Sequence, residues 1–229
     1  MPIELDFGAV LADWPLLLRG VAWTVALTLG ALLAGSALGI VCAWVCARNL
    51  GARQAPFWLQ HGVAAYVELV RNTPFIVQLF FIFFGLPAAG VRLSAEAASL
   101  LAMVLNLGAY ATEIIRAGLE SAHPGQAEAA LCLGLSTRQT FVRVLLPPAL
   151  QRVWPSLVGQ VVIVMLGSSV CGQISTPELS YAADLIQSRN FRSFEAFIVV
   201  GLAYLLLSLL LRQGLNRLAT LWLGPGRHA

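Results

Sequence analysis

Five stretches without a charged residue dominate this chain: residues 20–47, 72–91, 97–112, 153–177 and 196–211. A helix needs about 20 mostly apolar residues to cross the hydrocarbon of a bilayer. Inside that hydrocarbon only a helix or a closed barrel satisfies its own backbone. The first, second and fourth stretches are long enough unaided; the third and fifth gain length by setting their flanking charges at the headgroups. The expected fold is therefore an all-α integral membrane protein with about five transmembrane helices. A further apolar piece, 54–67, is followed by Glu68 and Arg71. It reads either as an amphipathic lead-in to the second span or as an extension of it.

Composition points the same way. Hydrophobic residues make up 59 % of the chain and charged residues 11 %, against about 25 % charged in soluble domains. A net charge of +3, scattered along the chain, gives no footprint for nucleic acid. All 14 basic residues are Arg. A P-loop ATPase needs the Lys of GxxxxGK[ST] to reach its phosphates, so ATP-driven work falls to a separate chain. Neither HExxH nor GxSxG occurs, which argues against an enzyme. Cys42, Cys46, Cys132 and Cys171 form no CxxC, and the first two read as small packing residues rather than metal ligands.

Arginine placement suggests an orientation. With the N-terminus outside, the inner segments hold Arg48, Arg53, Arg116, Arg138, Arg143, Arg152, Arg212, Arg217 and Arg227. The outer segments hold only Arg19, Arg92, Arg189 and Arg192. Glu4, Asp6 and Asp13 precede the first span, the reverse of a basic leader, so that span is expected to stay as an anchor. The expected division is an extracytoplasmic segment 1–19, a transmembrane domain 20–220 and a cytoplasmic tail 221–229. Gly30, Ala34, Gly35, Ser36 and Gly39 let the first span approach a neighbour closely.

The most polar internal stretch, 123–151, separates the third and fourth spans. Pro124 suits the first turn of a helix, and Gly134 is placed to end it. Ser136 and Gln139 form an S-x-x-Q capping box for a second short helix, expected to run to Val144 before Pro147 and Pro148 stop it. Together these make a helix-turn-helix on the membrane surface.

The residues of that stretch carry a resemblance. Glu128-Ala129-Ala130, then Gly134, Phe141, Val144 and Leu146-Pro147, resemble the EAA loop of bacterial ATP-binding-cassette importer permeases in type and spacing. The segment from Ala109 to Gly118 with Ser121, Gly125 and Gln126, and the segment from Glu68 to Pro74 with Gln78 to Phe80 and Gly85 to Pro87, are similar to signatures of the polar amino acid subfamily. The resemblance covers roughly 20–220 and implies a type I importer transmembrane domain in a bacterial inner membrane. It implies two ATPase subunits that carry the ATP and Mg, a second permease subunit and a periplasmic or tethered solute-binding protein. No cofactor is implied on this chain. Glu128, Ala129, Ala130, Gly134, Phe141 and Pro147, within 123–148, are then the residues expected to engage the ATPase.

One departure matters. Many members of the subfamily have Lys-Asp-Thr-Ser where this chain has Leu166-Gly167-Ser168-Ser169. Without that charge pair, this subunit is expected to hold solute weakly and to pair with a different permease chain, a heterodimer rather than a homodimer.

Candidate pathway residues are Arg71, Gln78, Asn106, Ser168 and Ser169. Glu68 with Arg71, and Glu113 with Arg116, have the i, i+3 spacing of structural ion pairs; charges near a bilayer also line pathways. Gln78 and Asn106 suit interhelical hydrogen bonds or solute contact. The serine hydroxyls suit a solute carboxylate or a carbonyl one turn back. The segment 176–194 reads as a partly helical cap or as a solvated loop. An ion-gradient-driven carrier or channel is the competing function, although no carboxylate sits deep in a span as a proton site.

Overall fold

A computed structural model describes residues 5–47 and 55–222. Arg48, Arg53 and Arg227, on which part of the orientation rested, lie outside the described residues, as does most of the tail. Among the described residues there are helices and no strand. In chain order these are α1 (Phe7–Leu11), α2 (Trp14–Cys46), α3 (Phe57–Arg71), α4 (Phe75–Ala89), α5 (Ala95–Glu120), α6 (Pro124–Cys132), α7 (Thr137–Ile174), α8 (Leu179–Asn190) and α9 (Ser193–Trp222). Four of them, α2, α5, α7 and α9, are long and apolar enough to cross a membrane, and α3 with α4 makes a fifth span if the bent pair is counted as one. The two short apolar stretches lengthen by taking charged ends into the helix: Glu96, Glu113, Arg116 and Glu120 in α5, and Glu195, Arg212 and Arg217 in α9.

The α3–α4 pair is not one straight helix. The two segments meet at 113° across Asn72, Thr73 and Pro74. Proline has no N–H to give and pushes the preceding residue out of the helical region, so α3 must stop there. Its last carbonyls need donors: Asn72 Nδ2 and Thr73 Oγ1 supply those of Glu68 and Leu69, and Gln78 supplies that of Val70 from the next helix. Gln78 Nε2 lies 2.7 Å from Val70 O, 3.0 Å from Thr73 O and 2.9 Å from Thr73 Oγ1.

The small residues of α2 set its crossing with α5. A Cβ built on Gly39 would meet the Ala111 Cβ at 2.6 Å, and one on Gly35 would meet the Leu107 Cβ at 2.9 Å. Backbones approach this closely only where side chains are absent, and in lipid such packing is a main source of helix association. The middle of the bundle is filled by Leu27, Leu79, Met103, Leu107, Val158 and Val161.

The bundle has two distinct ends. At one, Ala43, Ile115, Leu119, Ala127, Phe141 and Leu145 bury one another beneath α6. At the other, Val10, Met165, Leu179, Ile186, Val200 and Tyr204 gather around α8. The segment that allowed either a cap or a loop is thus a helix for most of its length, packed into the bundle.

Candidate functional site

The hairpin begins at His123, whose Nδ1 accepts the Gly125 N–H at 3.2 Å and starts α6. The helix ends at Gly134, held at φ +80, a left-handed conformation that glycine adopts without the Cβ penalty. Ser136 and Gln139 then form the expected capping box: Ser136 Oγ accepts from Gln139 N at 3.3 Å, and Gln139 Oε1 accepts from Ser136 N at 2.9 Å.

Beyond the capping box the structure corrects the sequence expectation. The helix does not stop at Val144. It widens into a π turn over Thr140–Leu145, in which the Leu146 N–H reaches Phe141 O, and continues as α7 to Ile174. Pro147 and Pro148 stand in the first turn after the π turn, where prolines are tolerated. The hairpin is therefore fused to a membrane span with no joint between them.

Burial sorts the six coupling candidates into two sets. Glu128 and Ala129 are exposed on α6 and Gly134 beside them, with Cys132 and Leu133 on the same outer side; Leu133 is 80 % exposed. Ala130 and Phe141 face inward, and Pro147 is half-buried. Phe141 packs 6.3 Å from the Trp44 ring of α2 and among Ile115, Leu119 and Ala149. Arg152 Nη1 donates to Ser121 Oγ at 3.0 Å, tying α7 to the turn before α6. The hairpin presents an exposed outer face on an anchored base.

The pathway candidates divide as well. Arg71 does not pair with Glu68 as the spacing suggested. It reaches across to Glu113 at 3.7 Å and lies 5.8 Å from the centre of the Tyr110 ring. Glu113 also takes Arg116, which in turn donates to Glu120 at 2.5 Å, so four alternating charges run across α3 and α5. Asn106 Nδ2 donates to Gln78 Oε1 at 3.1 Å, which joins α5 to the elbow. Gln78 also borders an apolar cavity of about 520 Å³ with Tyr66, Val70, Phe81 and Leu105. The serines lie apart from this group: Ser168 is buried and donates to Met165 O at 2.7 Å, and Ser169 is half-buried and donates to Leu166 O at 2.8 Å. No hydrogen bond joins either of them to Arg71, Gln78 or Asn106 among the described residues.

The family model described as "binding-protein-dependent transport system inner membrane component" matches residues 35–219, which include the whole hairpin. The chain belongs to this family. The glutamine transport system permease of Escherichia coli K12 is 34 % identical over 94 % of this chain and 97 % of its own length. The nopaline transport system permease of Agrobacterium fabrum is 31 % identical over 98 % and 95 %. A crystal structure of an amino acid ABC transporter with histidines superposes with a TM-score of 0.80 at 30 % identity, covering 94 % of this chain and 98 % of that one. A methionine ABC transporter in inward-facing form shares the fold, with a TM-score of 0.72 at 22 % identity.

Membership makes this chain a transport subunit, the permease component of an ABC importer with the type I transmembrane fold, and not the subunit that hydrolyses ATP. It implies ATPase and binding-protein partners for this binding-protein-dependent permease. Several apolar helices accord with a multi-pass membrane location.

The end opposite the hairpin holds a polar cluster that the sequence did not announce. Glu178 is fully buried. Its carboxyl group caps α8, accepting from Ser180 N at 2.9 Å and Tyr181 N at 2.8 Å, and also accepts Ser180 Oγ at 2.7 Å and Tyr204 Oη at 2.5 Å. Ser99 and Thr176 hydroxyls share a buried hydrogen bond of 2.7 Å, and Thr24 Oγ1 accepts the Leu179 N–H at 3.3 Å. Glutamate is an unusual N-cap, so the capping pattern does not flag it. The lone Tyr204 among the leucines of α9 was the available signal, because a buried phenol needs a partner.

Proposed function

We propose that this chain is the membrane half of an ATP-driven importer for a polar amino acid, with the hairpin end in the cytosol and the N-terminus outside. The observation that carries the reading is the hairpin: an exposed face at Glu128, Ala129, Cys132 and Leu133, seated on Phe141 and continuous with α7. Force applied by two ATPase subunits at that face passes into a helix that ends beside Glu178 at the far side of the bundle. A ligand can shift a two-state equilibrium only by its differential affinity for the two states. ATP-bound closure of the ATPases draws the hairpins together and favours the outward state, which meets the loaded binding protein; hydrolysis restores the inward one. The segments 1–19, 20–220 and 221–229 act as outer segment, transmembrane domain and cytosolic tail of a bacterial inner-membrane protein. ATP and Mg belong to the partner.

The amino acid assignment is supported by the named substrates of the relatives. On this reading Arg71, Gln78 and Asn106 border the pathway at the α3–α4 elbow. Pairing with a different permease chain is supported by the uncharged Leu166-Gly167-Ser168-Ser169 turn, whose two hydroxyls are spent on carbonyls three residues back. The test is uptake of L-glutamine, L-cystine and nopaline by proteoliposomes holding the chain with its ATPase, binding protein and second permease. ATP-dependent accumulation that survives a proton ionophore is expected. Accumulation that needs no ATP and collapses with the ionophore overturns the reading. A purified complex with two copies of this chain and no second permease overturns the heterodimer.

A further inference from the structure

A small cavity of about 290 Å³ opens at the end of the bundle away from the hairpin, lined by Leu16 and Arg19 of α2, Glu96 of α5, Ser175 and Pro177 of the turn after α7, and Tyr181, Ala182 and Leu185 of α8. It stands apart from the elbow cavity and shares no lining residue with it. Two full charges of opposite sign border it, and they do not pair: neither Arg19 nor Glu96 takes part in an ion pair among the described residues. The Tyr181 backbone is engaged by Glu178, but its hydroxyl has no hydrogen-bond partner among the described residues. The remaining wall is Ser175 and the apolar Leu16, Pro177, Ala182 and Leu185.

We propose that this cavity is a receiving site for the α-ammonium and α-carboxylate of a free amino acid, with Arg19 and the Tyr181 hydroxyl taking the carboxylate and Glu96 taking the ammonium. The proposal rests on the amino acid reading above and adds a place and a chemistry to it. A simple anion in this cavity meets Glu96, and a simple cation meets Arg19; only a ligand carrying both charges satisfies both walls, which is how complementary charge gives specificity. The volume lies at the small end of the ~300–1,000 Å³ range of small-molecule sites, which suits a ligand of amino acid size. The helices that carry Arg19 and Tyr181 are set in advance. Glu178 locks the first turn of α8, and a Cβ on Gly20 would meet the Leu179 Cα at 2.9 Å, so α2 and α8 are held in direct contact beside the cavity. A site whose walls are fixed before binding loses less affinity to ordering. Every amino acid shares the groups recognised here, so the site takes solute as it leaves the binding protein and leaves side-chain choice to that protein.

The test uses the purified complex in nanodiscs without the binding protein and tritiated L-glutamine as probe. Saturable binding is expected, weakened about tenfold or more by Arg19→Gln or by Glu96→Gln, as loss of one charge-assisted hydrogen-bonding partner requires. Binding should be unchanged by Arg92→Gln, an exposed arginine outside the cavity lining. On the wild-type complex, glutaramic acid (which lacks the ammonium) and 4-aminobutanamide (which lacks the carboxylate) should each compete at least about tenfold more weakly than L-glutamine. Absence of saturable binding, equal binding in both cavity variants, or either analogue competing as well as L-glutamine overturns the site. The analogue result needs no variant to fold. ATP-dependent amino acid uptake that persists while the binding assay fails removes this site alone, whereas uptake without ATP removes the importer reading itself.

Discussion

The phenol of Tyr204 donates to Glu178 Oε2 at 2.5 Å, joining α9 to the turn that leaves α7. Both residues are buried, and the carboxyl group holds three further donors that cap α8. Leaving a buried hydrogen-bonding group without its partner costs about 1–3 kcal/mol. Tyr204→Phe keeps the ring and removes only the donor, so it should destabilise the folded subunit by about 2 kcal/mol. Thermal unfolding in nanodiscs would show this as a lowered midpoint. An unchanged midpoint would mean that the bond stabilises nothing.

Gly134 gives a sharper test of the hairpin. A Cβ there meets nothing within 4 Å, yet the backbone is left-handed at φ +80. The cost of substitution is therefore conformational rather than steric. Asn tolerates this region and a β-branched residue does not. Gly134→Asn should retain most uptake, while Gly134→Val should distort the hairpin and uncouple ATP hydrolysis from uptake in a subunit that still inserts. Parallel ATPase and uptake assays in proteoliposomes decide it. Normal coupled uptake by the Val variant would count against ATPase docking at this turn.

The small residues of α2 predict a different kind of damage. Gly39→Val would drive its side chain into Ala111, already 2.6 Å from a bare Cβ, with Gly108 O at 3.2 Å. Overpacking of this kind costs about 1–3 kcal/mol, and here the neighbours include backbone that cannot rotate away. The measurement is the yield and thermal midpoint of the detergent-purified subunit, with Gly62→Val as control, since Gly62 has open space around it. Equal behaviour of the two variants would show that α2 does not depend on this approach to α5.

The features legible in the sequence were those with local causes. Spans are set by uncharged length, and Gly134, Ser136 and Gln139 mark their turn within six residues of chain. The failures are long-range or compensated. Pro147 and Pro148 read as a stop because an α-helix needs their N–H groups, but the π turn at Thr140–Leu145 shifts the hydrogen-bond register ahead of them. Arg71 has Glu68 one turn away in sequence and takes Glu113 instead, because the 113° elbow brings the end of α3 to α5. Glu178 finds Tyr204 across 26 residues and a change of helix, and no spacing rule reaches that far. The Arg19 and Glu96 cavity is of the same kind: two surface charges in sequence, one site only after folding.

Arg71 separates a structural charge from a working one. Its side chain is 41 % exposed and that of Glu113 is 29 % exposed, at 3.7 Å, so their ion pair is worth about 0–1 kcal/mol to stability after solvent screening. If Arg71 only braces α3 against α5, Arg71→Gln and Glu113→Gln should both be mild, because the first leaves Glu113 with Arg116, the second leaves Arg116 with Glu120, and in both Tyr66 Oη still bonds Leu105 O at 2.6 Å across the same two helices. If Arg71 borders the pathway at the elbow, Arg71→Gln should lower uptake by about tenfold or more with an unchanged thermal midpoint, the scale set by losing one charge-assisted contact. The expected outcome is the second. ATP-dependent uptake measured beside unfolding for both variants distinguishes them, and matched, small effects would return Arg71 to the role of a surface brace.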